Sequence, residues 1–196
     1  TFSGEGDKAA TLPITAITSP KAKPVWGFHP TADVAVFRIT PTSEAARIIG
    51  NRGLPPAMFV GLLEAPDRKR PLTTIGFPLG LGVLTVGPDA RISAITKESH
   101  ASSGLLTLKR FDNGQPSEFF ILDSPSVGGF SGSPVMILPS TFSDGAGIKF
   151  SNTILCVGLI HGTLSDNTGG KFAAVVPSAF ITQTLEAAYK QAVGDK

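Results

Sequence analysis

The chain contains one cysteine, one tryptophan, one tyrosine and three histidines among 196 residues, and each scarcity closes off a class of protein. Cys156 has no second cysteine to pair with, so no internal disulfide forms and a disulfide-braced domain is excluded. It lies in the apolar run Ile154-Leu155-Cys156-Val157, where a small buried core residue is expected. No stretch approaches about 18 uninterrupted apolar residues, so no membrane-spanning helix is expected. Charge is also sparse, 16% of residues with a net +2. The one dense basic run, Arg68-Lys69-Arg70, sits between Pro66 and Pro71 and reads as a solvated loop, not a nucleic-acid contact. Three scattered histidines and one cysteine make no metal-ligand pattern, and no HExxH, Ser-x-x-Lys or GxxxxGK[ST] motif occurs, so neither metal nor cofactor is expected.

What is present favours strands. With 41% hydrophobic residues, a chain of this length can bury one core or two small packed ones. Its 22 glycines and 16 prolines, among abundant serine and threonine, favour short strands joined by turns. Strands are expected at 11–18, 33–39, 58–63, 72–77, 83–86, 91–96, 105–110, 118–122, 134–138, 153–160 and 171–176. Residues 21–30 read as a turn-rich link, 112–114 as a turn, and 139–152 as a Gly/Ser-rich loop. The segment 33–39 is apolar on both faces, which implies burial on both sides. Residues 42–49, closed by Gly50, suit a short helix. Ser178 is placed to cap a long helix over about 179–193, with Ile181, Leu185, Ala188 and Ala192 on one stripe and Gly194 at its end. The glycine-rich segment 76–82 precedes a strand instead of a helix, so it reads as a turn and not as a phosphate-binding loop.

The most unusual stretch is Gly128-Gly129-Phe130-Ser131-Gly132-Ser133-Pro134. Glycines before a serine admit backbone conformations closed to residues with a Cβ and leave neighbouring amides uncovered. Such amides can converge on a developing oxyanion, while Ser131 supplies a hydroxyl nucleophile. A plain loop between two strands is the simpler alternative.

Five stretches carry a resemblance. The stretch 122–135 (LDSPSVGGFSGSPV) is similar to the nucleophile segment of trypsin-like serine peptidases, closest to the bacterial HtrA/Deg-like branch. The stretch 29–39 (HPTADVAVFRI) resembles the strand carrying the triad aspartate, and 75–82 (IGFPLGLG) the turn into the second barrel. The stretches 157–160 (VGLI) and 172–178 (FAAVVPS) resemble the strands behind the specificity pocket and the lead into the last helix. Together they cover most of 29–192. The resemblance implies an all-β fold of two packed antiparallel Greek-key β-barrels with a C-terminal α-helix. Residues 1–76 would be the remainder of a first barrel lacking its opening strands, 77–177 a second barrel, and 178–196 the helix and tail. It also implies a serine endopeptidase acting through an acyl-enzyme at Ser131, with Asp33 orienting the base and the amides of Gly129 and Ser131 as the oxyanion hole. Phe130 stands where trypsin has the aspartate that pairs with a newly cut N-terminus, so that activation route is absent.

The third triad member is missing from the expected place. Only His29 precedes Asp33, and in an extended segment positions four apart lie about 13 Å from each other. His100 reads as a solvated loop residue and His161 as a packing or polar-rim residue of the pocket strand, with recognition of an acidic substrate side chain, as in some glutamate-specific relatives of the resembled family, as the alternative. The start Thr1-Phe2-Ser3 reads as a cut end, so the catalytic histidine is expected upstream of Thr1. A separate N-terminal fragment is then the candidate partner that completes the first barrel. The alternative is an inactive homologue acting as a peptide- or protein-binding module.

The resemblance places the substrate pocket at Ser124, Pro125, Val127, Ile160, His161, Gly162 and Thr163. Pro125, where trypsin has an acidic pocket residue, offers no charge to Lys or Arg, so small or apolar side chains of a peptide or protein substrate are expected. An extracytoplasmic or secreted setting follows from the resemblance alone.

Overall fold

The computed structural model describes residues 26–37, 53–80, 93–143, 145–165 and 167–194. The expected strands at 11–18 and 83–86 and the short helix at 42–49 lie outside them. The described residues are mostly β with one α-helix, and every pairing between named strands is antiparallel.

Strands β1 (Trp26–Phe28) and β2 (Ala35–Phe37) pair with Trp26 opposite Phe37, their rings 5.1 Å apart. That aromatic cross-strand pair makes a strand of residues expected to be a link. The chain continues with β3 (Leu72–Gly76), β4 (Ile95–Ser99), β5 (Leu106–Lys109), β6 (Pro116–Leu122) and β7 (Pro134–Ile137). A hairpin, β8 (Ser140–Ser143) with β9 (Ile148–Ser151), precedes β10 (Leu155–Ser165) and β11 (Lys171–Pro177). Seven of these form one sheet in the spatial order β4-β3-β7-β10-β11-β6-β5.

Alternation along the central strands builds a core on each face of this sheet. On β6, Phe120 and Leu122 join Leu72, Val135, Val157, Ile160 and Val175 on one face. Phe119 and Ile121 join Met136, Cys156, Ala174 and Val176 on the other, covered by Ala32, Val34, Phe180 and Ile181. No sheet closes among the described residues. The end of β4 nevertheless reaches β6, through an Ala101–Leu122 bridge flanked by Ser102 N–H to Ile121 O (2.8 Å) and Asp123 N–H to His100 O (3.0 Å).

Several expectations need correction. Residues 58–63 are not a strand: Pro55 and Pro56 set a 3-10 turn at Pro56–Met58. Only Phe59 bridges to Cys156, and Leu62 and Leu63 are exposed. The Gly/Ser-rich loop contains the β8–β9 hairpin, which cross-strand bonding holds while Ile148 and Phe150 stay exposed. Arg70 is not a solvated loop residue: its guanidinium donates to Ser151 Oγ and lies 5.5 Å from the Phe142 ring centre. The helix, Ser178–Gly194, buries Ala179, Phe180, Ile181 and Thr184, whereas Leu185 of the expected stripe is exposed. The Ser178 hydroxyl does not cap the helix; it donates to Val60 O at 2.8 Å.

Phe120 is fully buried at the centre of its core, so Phe120→Ala should cost about 3–5 kcal/mol in denaturant unfolding. Burial pushes the Cys156 thiol up to about 11. It should resist a thiol-specific disulfide reagent at pH 8 until the chain is unfolded, whereas reaction at the rate of a free thiol would contradict that burial.

Candidate functional site

Strand β10 organises the site. Its Ile160 carbonyl accepts from Gly132 N–H (2.7 Å) and its Ile160 N–H donates to Ser133 O (3.0 Å). These two bonds clamp the segment that follows Ser131. Within the loop, Phe130 N–H donates to Val127 O (3.0 Å) and Ser133 N–H to Phe130 O (2.8 Å). The amides of Gly129 and Ser131 take part in none of these bonds. Phe130 is buried as the anchor of the turn, and Ser131 beside it is exposed.

Glycine is required where this loop meets the turn after β3. Gly129 has φ +95°, and a Cβ there would lie 2.8 Å from Leu79 N and 2.9 Å from Phe77 O. Leu79 N–H donates to Gly128 O at 2.7 Å, so the two turns are hydrogen-bonded as well as packed. Gly76 leaves room for Phe130 and Ser133: a Cβ would sit 2.9 Å from Phe130 Cδ1 and closer still to Ser133 Oγ.

The residue after Ile160 holds Asp33. His161 accepts from Phe111 N–H at Nε2 (3.1 Å), so its Nδ1 carries the proton and donates to Asp33 Oδ2 at 2.8 Å. The imidazole side chain is 3% exposed, with ring centres of Phe111 and Phe119 at 4.5 and 4.9 Å. A β-bulge aims it there: against β11, Ile160 faces Val175 and Gly162 faces Ala174, leaving His161 as the extra residue. Asp33 Oδ1 lies 3.5 Å from Arg110, which forms a closer ion pair with Asp112. That pairing raises the Arg110 pKa and holds the Asp112 carboxyl below its ordinary range.

The other two histidines are also engaged. His29 Nδ1 accepts from Ala32 N–H (2.9 Å) and Thr31 N–H (3.2 Å), while Nε2 meets Gln183 Oε1 at 2.9 Å. His29 therefore folds the turn before Asp33 and docks it on the helix. His100 pairs with Asp123: its backbone N–H donates to Oδ1 (2.9 Å) and Nδ1 lies 3.4 Å from Oδ2.

Of the expected pocket residues, Ser124, Pro125 and Ile160 line one cavity together with Ser126, Phe130, Ala173, Leu122, Thr74, Lys97 and Ser99. Thr163 donates to Ser126 O at 3.0 Å and buttresses it from outside. Val127 is an exposed turn residue, Gly162 leaves space for the Phe111 ring, and His161 turns to Asp33 instead of the cavity. Sequence reasoning missed Lys97, Ser99 and Thr74, which come from strands not adjacent to the serine loop in the chain. Among the described residues no three His, Cys, Asp or Glu side chains converge as metal ligands.

Comparison with protein-family models, with curated proteins and with solved structures returned no match.

Gly76→Ala should displace Phe130 and Ser133 and destabilise the fold by about 1–3 kcal/mol. Thermal unfolding would measure it, and an unchanged midpoint would show that the loop can shift without cost.

Proposed function

We propose that this chain is a serine endopeptidase of the trypsin-like type, hydrolysing peptide bonds through an acyl-enzyme at Ser131. One observation carries the reading: neighbouring residues of β10 hold the serine loop, through Ile160, and the carboxylate of Asp33, through His161. The two groups lie far apart in sequence, and a fortuitous Gly/Ser loop would have no reason to share a strand with a fixed carboxylate. The amides of Gly129 and Ser131, outside the loop's own hydrogen bonds, are available to a developing oxyanion. The Asp33 side chain is 42% exposed, which leaves its carboxylate accessible to a further group.

The sheet supports the barrel reading in the same way. The Ala101–Leu122 bridge joins the β4 end of the sheet to β6, which suits a Greek-key barrel with β5 outside the ring. Because β3 pairs with both β4 and β7, the second barrel would begin near Leu72, a few residues before the boundary expected at 76.

The general base would come from outside the described residues. His161 Nε2, the atom that would take the serine proton, is filled by Phe111 N–H, and both nitrogens of His29 are bonded. This same observation favours a second reading, a binding module that keeps the cleft without the chemistry.

A fluorophosphonate probe on the complete gene product separates the two. Stoichiometric labelling, abolished by Ser131→Ala and slowed about 10³–10⁴-fold by Asp33→Asn, is the expected result. A folded protein that takes up no label would overturn the peptidase reading and favour the binding module.

A further inference from the structure

Three successive residues of the turn after β5 converge on Asp33. The turn is tight: Arg110 N–H donates to Gln115 O (2.8 Å), Gly114 N–H to Arg110 O (3.0 Å), and Gly114 takes φ +71°. Phe111 stacks on His161, the donor to one carboxylate oxygen, and fills its Nε2. Arg110 lies against the other oxygen, with Nη2 3.5 Å from Asp33 Oδ1. Asp112 holds the same guanidinium in a two-pronged pair, Nε to Oδ1 at 2.9 Å and Nη2 to Oδ2 at 2.5 Å.

Asp33 and Asp112 therefore compete for one cation, and Asp112 wins. The contact with Asp33 is too long for a charged hydrogen bond, which runs to about 2.7–2.9 Å, whereas both prongs to Asp112 are bonded. The electrostatics agree: hydrogen bonding to Asp112 raises the Arg110 pKa first, against burial, and the charge of Asp33 adds least. The cation is also tethered beside Asp33. Its side chain is 10% exposed, and Nη1 donates to Thr31 O at 3.2 Å, two residues before Asp33. From there Arg110 needs only a short slide to close on Oδ1. A carboxylate bonded by His161 at Oδ2 and by an arginine at Oδ1 would have its charge offset and its accessible edge covered. A base-orienting carboxylate needs both, since its charge stabilises the imidazolium.

We propose that Asp112 is a positioning residue, which withholds Arg110 from Asp33 and so leaves the Asp33 carboxylate open to the group it orients. It acts through Arg110: the guanidinium stays at the site to tie the turn to Thr31, without serving as the counter-ion of Asp33. The catalytic meaning of this arrangement rests on the peptidase reading; the competition for Arg110 does not.

Two measurements on the complete gene product keep the two readings apart. The first needs no activity. Arg110→Gln and Asp33→Asn are made singly and together, with Asp112 intact and with Asp112→Asn, and each protein is unfolded in denaturant. With Asp112 intact the two losses should nearly add. With Asp112→Asn the coupling between Arg110 and Asp33 should about double or more, because the slide turns a 3.5 Å contact into a charged bond. Equal coupling in both backgrounds overturns the proposal. The second measurement is the rate of fluorophosphonate labelling at Ser131. Asp112→Asn should slow it about ten- to a hundredfold, the effect of one added hydrogen bond to a charged group, and Arg110→Gln in the same chain should restore most of the rate. Asp112 is an exposed turn residue, and circular dichroism checks that each variant folds. A rate unmoved by Asp112→Asn, or a loss that Arg110→Gln does not repair, overturns the positioning role. No labelling of any protein, wild type included, overturns the peptidase reading. Increased coupling then still upholds the hold of Asp112 on Arg110, and unchanged coupling overturns both.

Discussion

Asp33 lies in the segment that joins β1 to β2, and the bond that fixes its carboxylate is donated by an imidazole of the large sheet, His161 Nδ1 to Oδ2 at 2.8 Å. The bond depends on a bulge in β10, because a regular pairing with β11 would alternate residue 161 with its neighbours and aim the ring elsewhere. It depends too on Phe111 and Phe119, which enclose the ring and keep water from competing. A charge-assisted bond with a buried donor is stronger than a neutral one exposed to solvent, although the half-exposed carboxylate moderates the gain. Without it, Asp33 would be a surface aspartate near Arg110.

The same strand arranges everything else at the site. Ile160 anchors one core through its side chain and the serine loop through its backbone. Gly158, on the same strand, lets β11 approach: a Cβ there would lie 2.6 Å from Val175 Cγ1 and nearer still to Val176 O. Strand β10 therefore alternates packing and positioning roles. The turn at 76–79 locks the other side of the loop, so Ser131 stands between two hydrogen-bonded supports.

Much of the fold was legible because burial wrote it into the sequence. Phe119 to Leu122 is apolar on both faces and forms a strand buried on both faces. The β8–β9 hairpin escaped notice because its apolar residues, Ile148 and Phe150, are exposed, and pairing alone leaves no period to read. Residues 58–63 misled in the opposite sense: the composition of a strand, with only a single bridge from Phe59 to Cys156 of β10. At the site, glycine and serine spacing marked the loop, and 29–39 marked Asp33. The bond from His161 to Asp33 and the convergence of Lys97 and Ser99 on the cavity beside the loop were invisible, since they join residues brought together only by the sheet order.

The two histidines nearest Asp33 are fixed in opposite tautomers. Backbone amides of Thr31 and Ala32 require His29 to carry its proton on Nε2, and the amide of Phe111 requires His161 to carry its proton on Nδ1. Neither ring can exchange tautomers without leaving a main-chain donor unpaired. His29 shapes the turn that delivers Asp33 and His161 grips the carboxylate that arrives. In this chain the imidazoles beside the aspartate behave as fixed struts, and proton traffic at the site has to pass through some other group.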